Sequence, residues 1–149
     1  MPANTSPIFT LTPNVGTANV TAANTRSDGN GTIATDIYKV FTAGANGSFF
    51  NTVRLAPTAT AASTATAATT FRIYLSSIGS GATTPGTNVW QLGEVAAAAQ
   101  TADQTTTATY FLEFPVNRAI PANYTILVSM HIVANANTAW HATGWGGDY

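Results

Sequence analysis

Very little charge is available to this chain. Of its 149 residues, five are Lys or Arg and six are Asp or Glu, while threonine and alanine supply 27 each and cysteine is absent. Charged residues are therefore 7% of the whole, against about 25% in an ordinary soluble domain. Most enzyme chemistry gathers carboxylates, histidines, thiols or lysines at one point, and few of these exist here. The composition fits a packed object that presents surfaces better than one that moves protons.

Low charge does not mean disorder in this case. Hydrophobic residues make up 45%, with seven Phe, five Tyr and three Trp, whereas disordered chains lack aromatics and carry high net charge. The length suits one domain with a proper core. A net charge of −1, with the cations Arg26, Lys39, Arg54, Arg72 and Arg118 far apart in sequence, argues against nucleic acid, which needs clustered basic residues. No apolar run approaches the roughly 20 residues of a membrane span, and the first residues lack the cationic end and apolar stretch of a secretory signal. So small a net charge gives little colloidal repulsion, which favours a component of an assembly over a crowded free monomer.

The pattern along the chain is all-β. Apolar alternation and β-branched enrichment predict strands over 8–12, 32–42, 49–56, 68–77, 88–95, 107–116, 124–133 and 138–146. Turn clusters separate them at Ser27–Gly31, Gly44–Gly47, Gly79–Gly81, Thr84–Gly86 and Ile120–Asn123. About eight antiparallel strands at such spacing make a β-sandwich, jelly-roll-like. Ala96–Asp103 could form a helical turn or a loop, and the Ala/Thr run 58–70 reads as a loop that becomes a strand near Ala67 or Ala68. Residues 1–31, rich in Pro, Asn and Thr, read either as an extended N-terminal arm anchored by Ile8, Phe9 and Leu11 or as a first strand plus loop. The arm is the reading adopted, with 32–149 as the sandwich.

A hairpin turning about Ala136 would pair Ile132 with Trp140, His131 with His141 and Leu127 with Trp145. One face would then carry Tyr124, Ile126, Val128, Met130, Ile132 and Trp140, a core face. The other would carry Thr125, Leu127, Ser129, His131, His141, Thr143 and Trp145, a mixed face suited to an interface or a second packed layer. With Phe71, Ile73, Leu75, Leu112 and Phe114, the alternation places Ile126, Val128 and Met130 in the core.

Candidate chemistry is thin. Two facing histidines fall short of the three or four ligands zinc requires. Asp28-Gly29-Asn30-Gly31-Thr32 with Asp36 begins like a calcium loop, but Ile33 and Lys39 stand where a glycine and a bidentate glutamate are needed. A tight turn in which Asp28 accepts backbone amides is the better reading. Gly44-Ala45-Asn46-Gly47 lacks the Lys-Ser/Thr of a phosphate loop and fits a hairpin turn. Glu94 and Glu113 could meet as a glycosidase pair but read as outward members of alternating strands. No catalytic, cofactor or metal site is predicted. Trp90, Trp145 and Tyr149 could stack on sugars or fill a partner's pocket, with core burial expected for Trp90.

Several strings stand in an order that resembles small structural proteins of tailed bacteriophages and prophages. They are Asn24 with Asp28–Thr32, Val40–Ser48, Val53-Arg54-Leu55, Phe71–Leu75, Ile120–Tyr124 and Gly146–Tyr149, covering most of the chain from residue 24. Where that pattern has Pro-Ala-Gly-Tyr, this chain has Asn123, which tolerates the same left-handed backbone. The resemblance implies a jelly-roll-like sandwich on the virion, a capsid decoration (cement) protein acting as a multimer, expected to be a homotrimer. Its partners would be itself and the major capsid protein or other virion proteins, with no nucleic acid or membrane. It would be made in the host cytoplasm and carried on the capsid surface. A carbohydrate-binding adhesin or fibre module is the alternative, so glycans remain possible ligands. The interface candidates are Ile8, Phe9, Leu11, His131, His141, Trp145 and Tyr149.

Overall fold

A computed structural model describes residues 10, 12–61, 64–102 and 110–149. Its strands are β1 (Thr12–Val20), β2 (Gly31–Thr32), β3 (Ile37–Thr42), β4 (Ser48–Ala59), β5 (Thr64–Ala65), β6 (Thr69–Ser76), β7 (Ala82–Thr83), β8 (Val89–Ala97), β9 (Thr101–Ala102), β10 (Leu112–Ile120), β11 (Thr125–Met130) and β12 (Thr138–Asp148). Two four-stranded sheets carry the fold, in the orders β1-β12-β4-β10 and β3-β11-β6-β8, and every pairing within them is antiparallel. Two short pairs, β2-β7 and β5-β9, lie outside them.

Counting only the eight sheet strands, the sheet orders are 1-8-3-6 and 2-7-4-5. First pairs with last, second with seventh, third with sixth and fourth with fifth. The chain is in effect one long hairpin, folded over so that its paired strands alternate between two sheets. This is the double Greek key of a jelly roll, as the strand and turn spacing suggests.

The core lies between the sheets. Phe71, Ile73, Ile126, Val128 and Met130 are fully buried there, joined by Val20, Phe50, Val53, Leu55 and Trp140. Leu75, Leu112 and Phe114 pack against that cluster from partly buried positions. Trp140 meets Phe71 edge-on with ring centroids 5.0 Å apart. Buried hydroxyls supply much of the polar pinning that charges supply elsewhere. Thr83 donates to the carbonyls of Gly29 and Gly31, Thr125 to that of Ile78, and Ser76 to that of Asn88.

Two expectations need correcting. β11 and β12 do not form a hairpin: β11 pairs with β3 and β6, while β12 pairs with β1 and β4 in the other sheet. The segment 131–137 is therefore an arch between layers, His131 does not face His141, and Ile132 is exposed. The stretch 1–31 is not wholly an arm, because Thr12–Val20 is a nine-residue edge strand of the sandwich. Residues 1–9 and 11, with Ile8, Phe9 and Leu11 among them, lie outside the described residues.

One contact decides how closely the layers meet. Gly16 of β1 and Gly144 of β12 are register partners, and a Cβ on either would stand 2.3 or 2.5 Å from the carbonyl oxygen of Val40. Val40 is the extra residue of a bulge where β3 slips against β11 between Ile126 and Leu127. Such a bulge bends its strand, and here the bent strand turns a backbone carbonyl onto the glycine pair. Gly16→Ala should cost about 2–3 kcal/mol through overpacking against backbone, measured by urea denaturation. Gly79→Ala, whose Cβ would meet only side-chain atoms at 3.7 Å, should stay within about 0.5 kcal/mol of wild type.

Candidate interaction surface

The two outer sheet faces differ. Over β3-β11-β6-β8 lies the segment 21–36. Arg72, buried on the outward side of β6, donates from Nε to Glu94 at 2.7 Å and from Nη1 to the carbonyls of Asn24 and Arg26, both at 3.4 Å. The Asn24 side chain in turn holds Asp36 Oδ2 at 3.1 Å. Beneath this strap a second apolar cluster forms from Ile33, Ile37, Tyr74, Val89 and Leu127. Every residue of β11 is consequently buried. Leu127 and Ser129, expected on a mixed face suited to an interface or a second packed layer, are buried beneath the strap, which is that second layer, and His131 sits beside Arg72, its Nδ1 3.4 Å from Nη1.

The strap's own turn is as the sequence suggests. Asn30 N–H donates to Asp28 Oδ1 at 3.0 Å, and Gly29 takes a φ of 83°. The hydrogen bond from Arg26, then that from Asn30, holds the Asp28 carboxyl down at about 2. Among the described residues no three His, Cys, Asp or Glu come together as a metal site would require. Glu94 answers Arg72 on the outside of one sheet, and Glu113 stands opposite Arg54 on the outside of the other. The two carboxylates face outward from different sheets, each beside its own arginine.

The outer face of β1-β12-β4-β10 carries no comparable strap among the described residues. The registers lay it out in rows across the strands: Val15, Trp145, Thr52 and Pro115; then Thr17, Thr143, Arg54 and Glu113; then Asn19, His141 and Ala56. Val15 is 49% exposed and Trp145 44%, and Phe111, just before β10, is 46% exposed. The Arg54 guanidinium lies 3.7 Å above the Phe111 ring centre, and its Nε is 3.9 Å from Glu113 Oε1. These rows present threonines and rings with one cation beside one anion.

Of the expected interface residues, His141 and Trp145 share this face, while His131 is on the far side of the sandwich. Tyr149 lies at the β3–β4 turn, where its N–H donates to the Gly47 carbonyl at 3.1 Å. Sequence reasoning missed Val15 and Phe111, and it missed the Arg54–Glu113 row. The alternation around Glu113 was the available signal for that row. Trp90 departs from its expected burial: it is 39% exposed and stacks on Tyr124 with centroids 6.4 Å apart and planes at 15°.

The lower end of the face is tied down by Asp148. Its Oδ1 accepts from Asn14 Nδ2 at 2.8 Å, from Ser48 Oγ at 2.5 Å and from the Gly44 N–H at 3.2 Å. One carboxylate thus joins β1, the β3–β4 turn and β12. Gly47, with a φ of 88°, closes that turn by donating to the Gly44 carbonyl at 3.0 Å.

No known protein family and no curated protein sequence matches the chain. Two solved structures of infectious bursal disease virus, of the Gt and Gx strains, are similar to it at 13% and 15% identity, over 98% of this chain in each case. The TM-scores are 0.31 and 0.29, and the chain spans 36% and 35% of the length of those chains. So slight a likeness carries neither fold nor function; the jelly roll rests on the strand order alone.

Desolvation pushes the Asp148 carboxyl up, but the hydrogen bonds from Asn14, Ser48 and Gly44 outweigh it and leave the group below its ordinary 3.8. A carboxyl lowered in the folded state stabilises that state above its unfolded value and loses the contribution as pH falls through the folded one. Thermal melts should therefore show stability falling below about pH 4, with a shallower fall in Asp148→Asn, which is less stable than wild type at pH 7.

Proposed function

We propose that this chain is a non-enzymatic structural protein of a virion, a decoration protein that binds the outside of an assembled phage head and stabilises it. It works as a multimer, three copies being the expected number. The observation that carries this reading is the contrast between the sheets. One outer face is packed by the chain's own strap, and the other offers exposed rings and threonines with a single opposed charge pair. Such a surface suits binding by shape, backbone and aromatic anchors. The ordered strings from Asn24 to Tyr149 that resemble phage structural proteins supply the virion context, and they fall on features that a jelly roll needs. Asn123, for example, takes a φ of 64°, the left-handed backbone its place in the Pro121–Tyr124 turn requires.

A second reading, a carbohydrate-binding fibre module, draws on the exposed Trp90 stacked against Tyr124, since aromatic faces stack on sugar rings. Purified protein added to heads assembled without it separates the two. The decoration role predicts saturable binding at fixed stoichiometry, visible by electron microscopy, and heads that withstand higher temperature. A chain that leaves heads bare yet binds defined sugars on a glycan array, and loses that binding in Trp90→Ala, would establish the second reading instead.

A further inference from the structure

We infer that the open outer face of β1-β12-β4-β10 is a contact between copies of this chain, in which Arg54 of one copy meets Glu113 of another. It is a two-fold contact, so it joins two copies and is distinct from the three-copy assembly expected of the decoration protein, and it does not depend on the decoration role. It starts from the charges. In a chain with 11 charged side chains, the three rows described above hold one cation and one anion as neighbours on adjacent strands, Arg54 on β4 and Glu113 on β10. These rows are therefore neutral together and complementary in charge to themselves. A polyanion or an anionic membrane would meet as much repulsion as attraction, whereas a second copy brings the matching pair.

The geometry leaves both groups available. Within one chain the Arg54–Glu113 separation is 3.9 Å, with side chains 42% and 52% exposed, so neither group has its hydrogen-bonding capacity filled by the other. Phe111 holds the guanidinium by its face, which leaves the edge N–H groups free to reach a carboxylate from outside. Exposed rings flank the pair: Phe111 beneath Arg54, and Trp145 one row away beside Val15. Rings and an arginine around a small polar centre are the side chains that dominate contact energies at protein interfaces. The opposite sheet face cannot serve, because residues 21–36 already occupy it.

Sedimentation velocity across a concentration series tests the assignment with four proteins: wild type, Arg54→Glu, Glu113→Arg and Trp145→Ala. Wild type should associate reversibly. Each single charge reversal should weaken association by about tenfold or more, because it sets like charges across the contact. An equimolar mixture of the two reversals should regain it, since each then offers what the other lacks. Trp145→Ala should also weaken association while its melting temperature stays at the wild-type value. If that variant melts early, Thr143→Arg, which adds an unmatched charge to the same row, replaces it with the same expected loss. A wild-type protein that stays monomeric up to about 1 mM, reversals that associate as wild type does, or a mixture that fails to recover would each overturn the inference. Head binding scored on the same variants keeps the two proposals apart: association without head binding defeats the decoration role alone, and head binding by a strict monomer defeats the copy–copy contact and the expected multimer while leaving binding to the head in place.

Discussion

The pairing of β1 with β12 governs the rest of the structure. It joins residues as far apart as Thr12 and Asp148 and makes β12 an inner strand of the β1-β12-β4-β10 sheet, between β1 and β4. The same pair supplies Gly16 and Gly144, the two positions where a backbone carbonyl from the other sheet can approach without meeting a side chain. Sheets usually pack about 10 Å apart with side chains filling the gap. At this corner the gap closes to backbone contact, and the bulge at Val40 is what delivers the carbonyl there. Remove the glycine pair and β3 could not bend in, which would open one side of the core.

With few charges to spend, the fold distributes them by task. Arg72 and Glu94 fasten the strap, Asp148 gathers β1, the β3–β4 turn and β12, and Arg26 with Asp28 steadies an exposed turn. Arg54 and Glu113 remain on a face with little internal work to do. Hydroxyls meet most other polar demands, because a threonine can satisfy a buried carbonyl without the desolvation cost of an ion. The result is a molecule whose two sheet surfaces have separate fates: one is interior by virtue of its strap, and the other is presented outward.

Strand positions were largely legible because alternation is local. β4, β6, β8, β11 and β12 fall close to their expected spans, and the five innermost apolar side chains of β6 and β11 are where their spacing puts them. Partner choice was not legible. Neighbouring strands pair about two-thirds of the time, and residues 134–137 look like the loop of a hairpin, yet the segment 131–137 crosses between sheets. The strap was hidden for a related reason: Leu127 and Ser129 read as one side of a mixed face, and nothing in their own segment shows that residues 21–36 will cover them. β1 escaped because Pro13, Asn14, Gly16 and Asn19 are poor strand formers. Its glycine was itself the signal, since glycine inside a strand often marks a close backbone approach. On the candidate surface, Trp145 and His141 were legible as outward-facing, while the Arg54–Glu113 row depended on a strand register that sequence does not reveal.

The nested order of strands also fixes when this domain can exist. Its innermost pair, β6 with β8, can form once residue 97 has been made, but the outermost waits for residue 148. Until then β4 lacks its central neighbour and the core side of Phe50, Val53 and Leu55 is uncovered. Pairings of such long sequence separation are slow to form, and chains waiting to complete them expose surface that associates nonspecifically. A nascent chain of this kind is at its most vulnerable until β12 has been made, and the step that ends the danger is the arrival of that strand.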